Sequence, residues 1–311
     1  MTRLLESRSV SDSTLKAYRA AVGRFRDFAA RLRLPLGADE SVDAALVQFF
    51  TAEYFGGYHP SRGERTLAGL MMLEPEFSPL GRRSRAWRAF RGWKRMTQPL
   101  PWPFWAGVAV EPRKEDLAKA VFTLMCVSGY FRPSELLSMR RCDLIAPATG
   151  VRRSWSVLLF PEEVGRSSKT QNFNDSVEMD DPKILFLEPV WRAMASNGLE
   201  PAWRFDYPDY LAAFKKAVAR LRCADVCPYQ MRHSGPSIDL ADRRRSLEEA
   251  QRRGRWAQPR SMHRYGRRAR LAAEWAKLPA ADRSTCEGCV ERLAELILGP
   301  CRQSSETAIQ D

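Results

Sequence analysis

Tyr265 is the residue around which a reaction can be built from this sequence. A phenol is a poor nucleophile near neutral pH because it keeps its proton, with a reference pKa of about 10. Dense positive charge changes that, since it favours the phenolate and holds an anionic substrate beside it. Residues 241 to 270 carry eleven arginines against three acids, among them Arg243, Arg244, Arg245, Arg252, Arg253, Arg255, Arg260 and Arg264. Upstream, Tyr229, Arg232 and His233 fall within about one helical turn, and Trp256 stands nine residues before Tyr265. Planar Arg forks grip phosphate bidentately, and phosphoryl transfer asks of a protein mainly positioning and charge neutralisation. The chemistry open to these residues is attack of a phenol on a phosphodiester. Without that chemistry, the same residues form a plain basic face for binding nucleic acid.

Order adds what composition lacks. The segment runs Tyr229-Gln-Met-Arg232-His233, then Gly254-Arg255-Trp256, then Tyr265. It resembles the carboxy-terminal box of the tyrosine recombinases (the phage-integrase family), which reads His-x-x-Arg-His, Gly-His or Gly-Trp, and a nucleophilic Tyr. Gly129-Tyr-Phe-Arg132-Pro-Ser-Glu135-Leu136-Leu137 is similar to that family's Gly-x-Arg-x-x-Glu-Leu, with Asp143 placed as its following acid. Ser168-Lys169-Thr170, after an apolar strand, is similar to its hairpin lysine. The resemblance implies a 3′-phosphotyrosyl link formed by Tyr265, with Arg132 and Arg232 neutralising the phosphorane and Glu135 buttressing Arg132. Trp256 would donate to a non-bridging oxygen, and Lys169 would protonate the leaving 5′ oxygen. The link conserves the phosphoester's energy, so neither a nucleotide cofactor nor a metal is implied.

One position departs from the pattern. Tyr229 stands where the family usually has His, and a phenol is a poor base near pH 7. His233 could compensate for it, or could serve packing. Both readings stay open at this point.

The elements that must carry these residues follow from length and patterning. At 311 residues the chain has room for two domains, each with its own core. A net charge of +13 with an ordinary apolar fraction fits a folded partner of nucleic acid and excludes a disordered basic tail. No apolar run reaches the length of a membrane span, and the basic start lacks a secretory h-region. Seven cysteines at irregular spacing, without such a signal, predict reduced thiols and an intracellular protein. That means cytoplasm in a bacterium and nucleus in a eukaryote. Cys286-Glu-Gly-Cys289 has no second pair of the same kind, so surface or interface thiols are the simpler reading than zinc.

In the amino-terminal half, apolar residues at three- and four-residue steps predict helices from Ser11 to Leu32, from Asp39 to Gly56 and from Ser61 to Leu73. A fourth, from Gly81 to Met96, carries Arg82, Arg83, Arg85, Arg88, Arg91 and Arg95 without one acid, interleaved with Trp87, Phe90 and Trp93. Unopposed charge along a helix repels itself and a polyanion relieves it, so these arginines are candidate DNA contacts, together with Arg255. The resemblance makes residues 1–98 a SAM-like, core-binding helical bundle that closes around duplex DNA. Pro99-Leu-Pro-Trp-Pro-Phe-Trp105 predicts an extended linker over 99–112, because alternating prolines disfavour helix.

Residues 113–302 then form the α+β catalytic domain, and 303–311 a frayed tail. Buried helix is expected from Glu115 to Ser128, and a short one from Pro133 to Met139. Strand is expected at Trp155 to Phe160, around Val177 and at Ile184 to Leu187. Helices follow from Pro189 to Ser196, Tyr207 to Arg222, Tyr229 to Ala241 and Cys286 to Leu298. The fold class is therefore mainly α with a small antiparallel β-sheet. The function implied is DNA strand cleavage and rejoining by dimers or tetramers assembled on duplex DNA. The alternatives are a recombinase relic that binds without cutting, a non-catalytic basic nucleic-acid-binding protein, and a nicking-closing activity without target sequence.

Overall fold

The structure, a computed structural model, describes residues 10–55, 58, 60–74, 84–96, 98–113, 116–150, 153–165, 173–223, 226–259, 262, 265–266 and 268–299, without the side chains of 55, 84, 95–96 and 112–113. Lys169, Arg82, Arg83, the side chain of Arg95 and the tail 303–311 lie outside the described residues. The chain divides into two compact units, one of Met1–Thr97 with Asp225–Cys227 and one of Gln98–Ala224 with Pro228–Asp311.

Among the described residues the first unit holds four helices: α1 (Asp12–Arg31), α2 (Asp39–Phe55), α3 (Ser61–Leu73) and α4 (Ser84–Met96). Ser11 caps α1 by accepting from the Thr14 amide. Val22, Phe25 and Phe28 of α1 meet Leu46, Phe49 and Phe50 of α2, Leu67 and Leu70 of α3, and Phe90 and Trp93 of α4 in one core. Each such side chain contributes roughly 1.5–3 kcal/mol by leaving water. Asp43 on α2 is buried and accepts from the Ala86 amide at 2.8 Å and the Arg85 amide at 3.2 Å, so it caps α4 across the bundle. That leaves Arg85, Arg88 and Arg91 on the exposed side of α4, opposite Phe90 and Trp93.

In the second unit, residues 102–112, expected as part of an extended linker, belong instead to helix α5 (Trp102–Arg113). Pro99 and Pro101 precede it and Pro103 falls in its first turn, where an amide hydrogen has no intrahelical acceptor to lose. Phe104, Trp105, Ala106, Val108 and Ala109 are fully buried, so α5 is a core helix of this unit. It packs against α6 (Leu117–Ser128), which Asp116 caps at the Ala118 amide. Every α6 residue from Ala120 to Ser128 is buried.

After α6 come the five-residue α7 (Pro133–Leu137) and a 3-10 turn over Arg141–Asp143. A three-stranded antiparallel sheet follows in the order β1 (Leu144–Ile145), β2 (Ser156–Leu159), β3 (Asp175–Glu178). Leu144 pairs with Val157, which pairs in turn with Val177, placing all three on the core face. The run Ile184 to Leu187, expected as strand, is a 3-10 turn over Leu185–Leu187. Asp181 accepts from the Lys183 amide at 3.1 Å and Pro182 interrupts the chain, which bends it away from any ladder.

The remaining helices are α8 (Glu188–Met194), α9 (Tyr207–Arg220), α10 (Gln230–Ala241), α11 (Leu247–Gly254), α12 (Arg268–Ala276), α13 (Ala280–Glu291) and α14 (Leu293–Leu298). The single last helix expected from Cys286 is divided here. Arg292 leaves helical geometry with φ −113° and ψ 19°, and beyond it Leu293 and Ile297 turn into the core.

Candidate functional site

The site is assembled where α6 ends, α7 begins, and α10 and α11 pack beside them. Gly129 ends α6, and Tyr130 then takes a left-handed backbone at φ +54° while its side chain stays fully buried. The Tyr130 hydroxyl donates a short hydrogen bond to Asp239 of α10, so both ends of this residue are committed. Its carbonyl accepts from Arg232 at 2.5 Å and from Arg255 at 3.5 Å. Helix α10 approaches closely at Gly235, where a Cβ would lie 2.2 Å from the Val127 carbonyl oxygen and 2.4 Å from the Tyr130 ring. At its other end Gln230 donates to the Gln98 carbonyl and Ser234 accepts from the Leu100 amide, both at 2.8 Å.

Arg232 is thereby aimed inward. Besides Tyr130, it donates to the Gly254 carbonyl at 2.6 Å and lies 3.5 Å from Glu135 Oε2. Arg255, in a left-handed conformation as the cap of α11, reaches the same Oε2 at 2.7 Å, and Arg132 ion-pairs with Oε1. The Glu135, Arg232 and Arg255 side chains are 3%, 1% and 7% exposed, whereas Arg132 is 27% exposed and opens the cluster to solvent. Arg255 was expected on a DNA-facing surface. It is instead a member of this buried cluster, because the turn after Gly254 folds it back onto Glu135.

The electrostatics follow from that crowding. Burial pulls the Arg232 guanidinium down to about 10; Glu135 opposes the shift, and Arg132 and Arg255 add to it. Burial likewise lowers Arg255. Burial alone would raise the Glu135 carboxyl, but Arg255, Arg232 and Arg132 together hold it below its usual range. Arg132 is raised: burial works against its charge, and Glu135 and a hydrogen bond with Tyr229 prevail. Asp175, at the start of β3, faces Arg255 and Glu135 with its Oδ2 buried and without a hydrogen-bond partner, and burial raises its carboxyl. Three guanidinium groups thus share one carboxylate in contact, and still outnumber the acids when Asp175 is included.

The aromatic residues close around this cluster. The Arg232 guanidinium lies 5.0 Å from the Trp256 ring centroid, and Trp256 lies 5.1 Å from the Tyr265 ring. A Cβ on Gly254 would fall 1.7 Å from the indole, so only glycine admits Trp256 here. The Tyr265 ring rests on Tyr130, Ala250 and Met262 and is 7% exposed. Its hydroxyl is 2.7 Å from Nδ1 of His233, whose ring stacks on it at 5.8 Å and 27°. Tyr229 meets His233 edge-on at 5.1 Å. Arg132, Glu135, Tyr229, Arg232, His233, Trp256 and Tyr265 are therefore brought together, with Arg255 added.

A second cluster beneath the first was hidden in the sequence. Arg244 bonds Asp239 at 2.7 Å and Asp181 at 3.2 Å, Arg245 bonds Asp180 at 2.5 Å and Asp239 at 3.1 Å, and Arg253 bonds Asp180 at 2.9 Å. Three arginines meet three aspartates, which is the composition of a structural network. These arginines were counted as part of a polyanion-facing surface and are instead turned inward. The Asp-Asp pair after the strand signal at Val177 was their one visible partner.

Asp143 is buried and accepts from Arg140, through its amide at 2.8 Å and its guanidinium at 2.6 Å. In the Cys286-Cys289 pair, burial pushes the Cys286 thiol up to about 12. Among the described residues, no group of three or more His, Cys, Asp or Glu is placed to hold a metal ion. No described helix is long and apolar enough to cross a membrane. Fold and site together define a mainly helical protein with a small antiparallel sheet and a cation-rich cluster beside a phenol. Neither models of known protein families nor curated protein sequences match this chain.

Proposed function

We propose that this protein breaks and rejoins DNA strands through a phosphotyrosyl intermediate, in the manner of the tyrosine recombinases it resembles. The observation that carries this reading is the charge surplus beside Tyr265. Arg132, Arg232 and Arg255 share the single carboxylate of Glu135 in contact, in a space that burial makes hostile to unpaired charge. A phosphodiester supplies the missing anion, and its two non-bridging oxygens grow more negative as an attacking oxygen approaches. Tyr265 Oη would attack phosphorus, the bond to O5′ would break, and the Arg groups with the Trp256 indole would hold the phosphorane. Lys169, as the donor to O5′, comes from the resemblance alone.

The test is incubation with a nicked suicide duplex whose cleaved end diffuses away. A covalent protein–DNA adduct is expected, absent in Tyr265→Phe and slowed roughly 10²–10³-fold in Arg132→Ala. A second reading, a relic that binds duplex without cutting, draws support from Tyr229 at the usual His position. Binding without adduct under every condition would select it.

A further inference from the structure

We propose that His233 is the group that takes the phenolic proton of Tyr265, supplying the base that residue 229 does not. This rests on Tyr265 being the nucleophile. Nδ1 of His233 lies 2.7 Å from Tyr265 Oη, both side chains are nearly buried, and the two rings are close to parallel. A proton acceptor must be within hydrogen-bond reach of the proton it removes, and this contact meets that requirement without rearrangement.

The other groups around the phenol are poorly suited to the task. Tyr229 faces His233 edge-on, and its phenol is bonded to Arg132. Arg132, Arg232 and Arg255 are held as cations around Glu135, whose two oxygens are taken by their guanidinium groups. Asp175 faces Arg255 and Glu135. Trp256, its ring 5.1 Å from that of Tyr265, can donate but not accept. Among the described residues, Nδ1 of His233 is the remaining acceptor, since a neutral imidazole nitrogen carries the lone pair the step needs.

As Tyr265 Oη forms its bond to phosphorus, the O–H bond breaks and its proton goes to the Nδ1 lone pair, giving an imidazolium. The P–O5′ bond breaks with its electron pair on O5′, which takes a proton from a separate donor. On rejoining, the 5′ hydroxyl attacks phosphorus and returns its proton to that donor, the bond from phosphorus to Tyr265 Oη breaks, and Oη recovers its proton from His233. The imidazolium forms as the phosphorane's negative charge forms, so it also adds a cation when the transition state needs one.

The experiment is single-turnover adduct formation on the nicked suicide duplex across pH 5.5 to 9, for wild type, His233→Asn and His233→Gln, with duplex binding and thermal melting measured alongside. An amide hydrogen-bonds the phenol but takes up no proton. The expected result is duplex binding within about twofold of wild type and an adduct rate lower by roughly 10²–10⁴-fold at pH 7. The rising acid limb of the wild-type profile should be missing from both variants. Their deficit should shrink as pH approaches the phenol's own pKa, a recovery that a misfolded protein would not make. Variants with wild-type rate and profile would overturn the assignment while leaving Tyr265 as nucleophile. A wild type that forms no adduct removes the strand-cleavage reading, and this assignment with it.

Discussion

Glu135 is a single carboxylate shared by three guanidinium groups, and that sharing sets its response to acid. Burial raises its carboxyl, but Arg255, Arg232 and Arg132 outweigh burial and leave it below the ordinary value of 4.5. A depressed carboxyl contributes stability that is fully present above the unfolded value and is lost as pH falls through the folded one. Glu135→Gln should therefore lower the unfolding free energy at pH 7 by about 3–5 kcal/mol, the cost of stranding buried arginines. The gap from wild type should close as pH drops below the ordinary carboxylate range. Urea melts at pH 7, 5 and 4 check both parts, and a gap independent of pH would mean that packing, not charge, holds Glu135. The sequence disclosed Arg132, Glu135, Arg232, Trp256 and Tyr265 because their order along the chain resembles a known box. It concealed Tyr130, Asp175 and the inward course of Arg255, because a left-handed turn and a strand edge decide those contacts and neither leaves a mark in spacing.

At the scale of elements, the arginine pocket depends on how α10 and α11 are fastened to the end of α6 and to β3. Asp239 is the fastener: it accepts from Tyr130 of the α6 terminus and from Arg244 and Arg245 after α10, while Asp180 beyond β3 holds Arg245 and Arg253. Burial, with Asp239 beside it, keeps the Tyr130 phenol protonated as the donor in this arrangement. Asp239→Asn removes a buried carboxylate from two half-buried guanidinium groups, each of which keeps a second aspartate, and should cost about 3 kcal/mol. Asp242→Asn, less than one turn further along but at a 51% exposed side chain paired with Lys183 at 3.3 Å, should cost less than about 1 kcal/mol. Denaturant unfolding of the two variants separates a structural network from surface charge, and equal effects would contradict the network. Helix existence was legible here from apolar periodicity, with α10 expected from Tyr229 and found from Gln230. The failures have physical causes. Prolines were read as breaking α5, although a helix tolerates them at its start, and Ile184 to Leu187 has strand composition but follows an Asp-Pro bend that removes it from the sheet.

At the scale of the whole molecule, the +13 charge is the property that composition states most loudly and explains least. Five arginines between residues 232 and 255 are ion-paired inside the second unit, so a count of basic residues overstates what is available to a polyanion. In the first unit Asp43 fixes the start of α4 and the aromatic core fixes its inner side, which leaves Arg85, Arg88 and Arg91 exposed along one helix. If this helix tracks a DNA backbone, each arginine that neutralises a phosphate releases counterions and steepens the salt dependence of binding. Each contact is worth about 0.9 in the slope of log K against log salt, so replacing all three with alanine should flatten the slope by up to about 2.7. The change should be similar for duplexes of different sequence, because phosphate contacts position a protein and do not specify a base. Melting of the variant should match wild type, since none of the three side chains enters the core. Fluorescence anisotropy titrations at several salt concentrations provide the measurement. An unchanged slope would remove α4 from the DNA-contacting surface and leave the charge surplus at Glu135 as the sole structural ground for a phosphate partner.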